Sequence, residues 1–255
     1  MLALLSLIKN NKIELKDKIH AYDKNYTLIN VYKNIQNHKD ELYKNIQLYI
    51  SQYDKCDGNS KNKKPNTLDE ATKSKESYYY WIRKKFNQMQ KDTIECSSLF
   101  IILNKLCFRG LYRESVNGFN VPFGHYKQTP NITFKKIEHI SDLIKDVEFK
   151  CCDFNESIKD INDGDFVYCD PPYVPENEKS FVGYTSHGFS LDDHKKLFEL
   201  LQSLNNKNIK FGLSNSKTKL VLDNFKNYNI QEIICRRAIN SKKPESKTTE
   251  VIITN

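Results

Sequence analysis

The sequence predicts an α/β fold, and three observations carry that expectation. Beyond about residue 139, short β-branched and aromatic runs alternate with amphipathic stretches, the order that builds a sheet with helical connections. The 255 residues suit one α/β domain with an insertion, or two small domains, and can bury a substantial core. Midway, Gly110, Gly118, Pro122 and Gly124 punctuate short aromatic and basic pieces, and the pattern there marks residues 68–136 as inserted.

Residues 2–10 read as a helix and 18–22 as a short strand ending at Asp23. Helical periodicity follows over 26–37 and 39–53, whereas 55–65 is polar, charged and aperiodic and reads as a loop. Helices are expected again over 68–87 and 93–106, and 108–127 has the character of a hairpin-and-loop module. Strands then fall at 147–151, 166–169, 209–213, 230–235 and 250–254, with helices at 191–204 and 217–225 between them. The chain therefore divides as 1–54, 55–136 and 137–255, an α/β domain split by a module, with no internal repeat.

Forty basic residues against 32 acidic ones give a net charge of +8, which suits a polyanionic partner. Only five of the forty are arginine: Arg83, Arg109, Arg113, Arg236 and Arg237. Arginine offers a planar fork of donors that lysine cannot copy, so in a lysine-rich chain its clusters mark geometry-dependent contacts. No apolar stretch is long enough to span a bilayer, and the opening apolar run has neither a basic leader nor a cleavage site. Seven cysteines without paired spacing argue against a disulfide framework or a zinc site, and a reducing, intracellular setting is the simplest reading.

The strongest chemical signal is Asp170-Pro171-Pro172-Tyr173, placed directly after the apolar strand at 166–169. Ligands of open α/β sheets collect outside the carboxyl ends of strands. Two prolines stiffen the backbone and remove its N–H groups, which presents a carbonyl beside the Asp170 carboxylate. Two such acceptors can take both hydrogens of an exocyclic amine and make its nitrogen a better nucleophile, while Tyr173 offers a stacking face. A duplex hides that amine, so the base must first be flipped out. The alternative is a rigid turn with Asp170 as its cap.

These residues resemble the Dam-type (D12 class) DNA adenine-N6 methyltransferases, which carry Asp-Pro-Pro-Tyr as their catalytic motif. Residues 103–113 and 118–124 are similar to the family's target-recognition hairpin, and Arg236-Arg237-Ala238-Ile239 with Glu250 to Asn255 resembles its C-terminal strands. The resemblance spans almost the whole chain. It implies a Rossmann-like sheet, S-adenosylmethionine as cofactor, double-stranded DNA as partner, no metal, and allows for a companion restriction endonuclease. In that family's terms 1–54 and 137–255 form the catalytic domain and 55–136 the target-recognition domain. Asp170 and the Pro171 carbonyl would bind the target amine, with Pro172 and Tyr173 completing the loop. Asp23 matches the acid that binds the cofactor's ribose hydroxyls, and Asp153 and Phe154 match its adenine pocket; a helix cap is the alternative for either acid. In the hairpin, Phe108 corresponds to a wedging aromatic, Leu111 and Arg113 to base-contacting positions, and Arg109 and Asn120 lie among the DNA-binding residues. Arginine bidentate to guanine suits Arg113. Where this chain has Arg109 the family more often has Asn, which alters the expected recognition sequence.

The resemblance departs most at the beginning. The family opens with glycine-rich segments and a central strand, whereas the first glycine here is Gly58. The expectation is a start that lies upstream, is supplied by another chain, or has decayed, with two strand edges left open beside the gap. An adenine-N6 DNA methyltransferase is the leading reading. A DNA-binding remnant unable to hold the cofactor, and an RNA or cytosine-N4 amino-methyltransferase, are the alternatives.

Overall fold

The computed structural model describes residues 2–10, 12–59, 61–126, 128–159, 161–176, 188–236 and 247–255. They form two compact units, residues 1–153 and 154–255. The first holds α1 (Leu2–Lys9), β1 (Ile19–Asp23), α2 (Tyr26–Asn37), α3 (Lys39–Asp54), α4 (Leu68–Ala71), α5 (Lys75–Gln88), α6 (Ile94–Leu106), β2 (Glu114–Ser115), β3 (Gly118–Phe119), α7 (Phe134–Ile144) and β4 (Val147–Cys151). β1 and β4 pair in parallel from Ile19↔Val147 to Asp23↔Cys151. Around them the helices bury one continuous core that includes Ile29, Leu42, Ile46, Tyr78, Ile82, Leu99, Ile102, Ile137 and Phe149. Residues 55–136 thus share their core with the elements before and after them.

Local chemistry sets most helix starts. Asn25 caps α2 by accepting from the Leu28 amide at 3.0 Å. The single helix expected over 68–87 is instead two, α4 and α5, and the break has a cause in side-chain hydrogen bonds. The Thr72 hydroxyl turns back onto the Leu68 and Asp69 carbonyls, at 3.0 and 3.3 Å. Ser74 is extended and buried, and its Oγ accepts from the Ser77 amide at 3.0 Å, so α5 starts afresh. Gly58 packs against this break, where a Cβ would lie 2.2 Å from the Lys73 carbonyl oxygen. Helix α7 goes beyond the elements expected; its buried face, Ile137, Ser141 and Ile144, repeats at helical spacing.

The second unit holds α8 (Phe154–Ser157), β5 (Phe166–Cys169), α9 (Leu191–Asn206), β6 (Lys210–Ser216), α10 (Lys219–Asn224), β7 (Asn229–Arg236) and β8 (Lys247–Thr254). Its sheet has the order β5-β6-β8-β7, with β5 parallel to β6 and β8 antiparallel to both neighbours. Leu197, Phe198 and Leu201 of α9 bury one face of it with Phe211, Leu213, Val251 and Ile253. A capping box between Ser190 and Asp193 starts α9. Strand β6 outruns the expected 209–213 by three polar residues, Ser214, Asn215 and Ser216, all buried and paired with β8. The helix expected from 217 begins two residues later, after Thr218 caps it. Among the described residues β1 pairs with β4 alone and β5 with β6 alone.

Candidate active site and recognition hairpin

β5 delivers Asp170 to the carboxyl end of a parallel strand pair, with its side chain exposed. The carboxylate does not serve the adjoining turn. Its Oδ1 accepts the Ser214 hydroxyl at 2.5 Å, a partner from the neighbouring strand. Beyond Pro171 and Pro172, Tyr173 is half-buried and Val174 buried. The Val174 amide donates to Asn215 Oδ1 at 2.9 Å, and the Val174 carbonyl accepts the Ser216 hydroxyl. Burial pushes the Tyr173 phenol above its ordinary pKa; the Ser214 hydroxyl works against that shift, and the Asp170 and Glu250 charges add to it. The ring therefore stays neutral at physiological pH, as a stacking platform requires. Beside it lies a cleft of about 220 Å³ whose lining includes Tyr173, Val174, Glu176, Ser216, Thr248 and Glu250. Glu176 accepts the Thr248 hydroxyl at 2.7 Å. A wall rich in carboxylate and hydroxyl oxygens suits a ligand that presents N–H donors.

In the first unit, parallel pairing of β1 and β4 brings Asp23 and Asp153 to adjacent strand ends, where the Cys152 amide donates to the Asp23 carbonyl at 3.2 Å. The cap position of α2 belongs to Asn25. Asp23 only closes the turn, its Oδ1 accepting the Asn25 amide at 2.7 Å. Among the described residues no donor meets its second carboxylate oxygen, which suits a carboxylate awaiting hydroxyl groups. Lys24 lies 3.4 Å from Asp153. Phe154 opens α8 in the second unit, where its ring meets that of Phe189 with centroids 5.5 Å apart.

The hairpin is anchored before it is functional. Asn87 at the end of α5 bonds both backbone groups of Phe119, at 3.0 and 2.9 Å. The Gly124 amide donates to the Leu106 carbonyl and the Phe108 amide to the Pro122 carbonyl, each at 2.8 Å. Tyr79 and Arg83 both donate to the Val121 carbonyl. On this base Phe108 stands 42% exposed, while Leu111 packs partly against the core. Arg109 has φ 57° and ψ 19°, in the left-handed region, and its guanidinium lies 5.1 Å over the Phe108 ring. Arg113 is exposed; its Nε donates to Asn120 Oδ1 at 2.6 Å and its Nη2 to the Asn120 carbonyl at 3.4 Å, and among the described residues Nη1 has no hydrogen-bond partner. Arg236 closes β7, and Arg237, Ala238 and Ile239 lie outside the described residues. Sequence reasoning passed over Ser214, Asn215 and Ser216. Their signal was a polar triplet at the end of an apolar strand neighbouring β5.

The type II methyltransferase M.MjaIII of Methanocaldococcus jannaschii is 32% identical over 241 residues, covering 92% of this chain and 78% of that relative. The DNA adenine methylase of Haemophilus influenzae is 34% identical over 173 residues, covering 67% of this chain and 59% of the relative. Its counterpart in Escherichia coli K12 is 30% identical over 177 residues, 69% of this chain and 63% of the relative. The chain thus spans less than two thirds of these two DNA adenine methylases. Residues 8–239, which take in both carboxylate sites and the hairpin, match the D12 class N6 adenine-specific DNA methyltransferases, and the chain belongs to that family.

Proposed function

We propose that this protein methylates the N6 amine of an adenine flipped out of duplex DNA, with S-adenosylmethionine as cofactor. The Asp170 loop carries the reading: a carboxylate held from one side by Ser214, beside an acceptor-lined cleft and a neutral tyrosine. Asp170 and the Pro171 carbonyl take the two N6 hydrogens, which draws the nitrogen lone pair out of ring conjugation, and Tyr173 stacks on the base. The proton released after transfer passes to Asp170 or water. Pro172 completes the stiff turn. S-adenosylmethionine, when bound, supplies an electrophilic methyl group. Asp23, with its spare carboxylate oxygen, holds the ribose hydroxyls, and Asp153 and Phe154 contribute to the adenine pocket. Phe108 wedges into the duplex, Leu111 and Arg113 read base edges, and Arg109 and Asn120 complete the contact surface, so residues 55–136 act as the recognition module.

The same proposal takes the fold to be Rossmann-like, with further strand pairing at the edges of β1 and β5 that are unpaired among the described residues. It places the protein with its DNA inside the cell, where a restriction endonuclease is a natural companion; among the described residues no helix is long and apolar enough to cross a membrane.

The test is transfer of labelled methyl groups to unmethylated DNA by the chain and by Asp170→Ala. Loss of one preorganised polar group costs about 10²–10³ in rate, and DNA binding should persist. Near-normal methylation by the variant would overturn the assignment. DNA binding by the wild-type chain without transfer would favour the cofactor-deficient reading.

A further inference from the structure

We propose that the end of strand β6, Ser214-Asn215-Ser216, is the positioning element of the Asp170–Val174 loop, an inference that rests on the methyltransferase reading above. A loop joining a strand to whatever follows would ordinarily be held by its own turn bonds. Here the grip comes from the neighbouring strand. Ser214 and Ser216 are two residues apart along β6, and Asn215 between them turns its Oδ1 to within 3.5 Å of the Ser216 hydroxyl. Ser214 donates to Asp170 Oδ1 at 2.5 Å. Asn215 Oδ1 accepts the Val174 amide, and Ser216 donates to the Val174 carbonyl. The loop is therefore tied at its first and last residues, and Val174 through both backbone groups.

Asn215 shows that this grip is kept at a cost. The side chain is fully buried and its Oδ1 accepts two amides, from Val174 and Ser216, both at 2.9 Å. Among the described residues its Nδ2 has no partner. A leucine of similar size would bury more apolar surface and leave no orphan donor. What a leucine cannot do is accept the Val174 amide. The triplet is paired with β8, and the strand leading into it, Lys210 to Leu213, is paired with β5 as well. By occupying Oδ1, Ser214 fixes the plane of the carboxylate and leaves Oδ2 for the target amine.

Steady-state methyl transfer to unmethylated DNA, paired with amide hydrogen exchange followed by NMR, tests this. A small misplacement of a reacting group costs up to about 10² in rate. Ser214→Ala should lower kcat roughly 10-fold or more with the KM for DNA unchanged, and Ser214→Thr should restore it, because the hydroxyl and not the volume acts. Asn215→Ala and Ser216→Ala should speed exchange of the Val174 amide about 10-fold or more and leave Leu213 protected. Equal losses in Ser214→Ala and Ser214→Thr, or Val174 protection unchanged in the variants, would overturn the proposal. If the wild-type chain transfers no methyl, the methyltransferase reading fails, and the exchange measurement still decides whether β6 holds the loop.

Discussion

Arg109 sits where an L-residue pays for its backbone, and that strain can be measured. Its φ of 57° places it in the left-handed region, which costs a residue with a Cβ roughly 1–2 kcal/mol. Asn tolerates this conformation far better, because its short polar side chain can bond locally. Against the strain stands the guanidinium stacked 5.1 Å over the exposed Phe108 ring, worth about 0.5–1 kcal/mol at a solvated site. The backbone amide bond from Arg109 to the Tyr126 hydroxyl, at 2.9 Å, survives any substitution that keeps the turn. Arg109→Asn thus trades the stacking for relief of strain and should be neutral to about 1 kcal/mol stabilising. Arg109→Ala loses the stacking, keeps the strain and should cost about 0.5–1 kcal/mol. Urea unfolding of the three proteins, followed by circular dichroism, separates these outcomes. Arg109→Ala as stable as Arg109→Asn would refute the strain argument. If Arg109 contacts DNA as proposed, Arg109→Asn should also shift sequence preference in a methylation-site screen.

Arg113→Ala should cost about 1–3 kcal/mol on cognate DNA and relax preference at one base pair; a uniform loss across all sequences, read by competition binding, would make it a phosphate contact instead. Gly124→Ala would set a Cβ 2.7 and 2.9 Å from the Cys107 and Leu106 carbonyl oxygens. Those backbone atoms cannot swing aside as the nearby Tyr126 ring can, so a destabilisation of about 1–3 kcal/mol is expected in urea titrations. Glu95 gives a pH dependence. Burial alone would raise its carboxyl pKa, but hydrogen bonds from Lys85 and Tyr49 outweigh it and leave the pKa lowered. A depressed folded pKa contributes stability above the unfolded value that is lost as pH falls through the folded one. The Tm advantage of wild type over Glu95→Gln should therefore shrink from about pH 5 downward, and a gap constant down to pH 3 would refute the coupling.

Much of this protein was legible because its signals are local. A strand that stops at an acid, two prolines and a tyrosine marks a candidate site from its own few residues. The glycines and prolines of 108–127 dictate a hairpin by their own torsional limits, and Asn25 starts α2 through an amide three residues away. Tertiary structure decided what depends on partners distant in sequence. The sheet order β5-β6-β8-β7 brings Ser214 to Asp170 across 44 residues, and no periodicity marks a polar triplet as buried strand. Ser74 ends a helical pattern where it forms an antiparallel bridge with Asn59, fifteen residues earlier, and caps the next helix through the Ser77 amide. Arg109 takes a left-handed conformation between two tied neighbours, Phe108 bonded to Pro122 before it and Gly110 bonded to Cys107 and Asn104 after it. Local propensity is a matter of tenths of a kcal/mol per residue, and hydrogen bonds formed across the fold outweigh it.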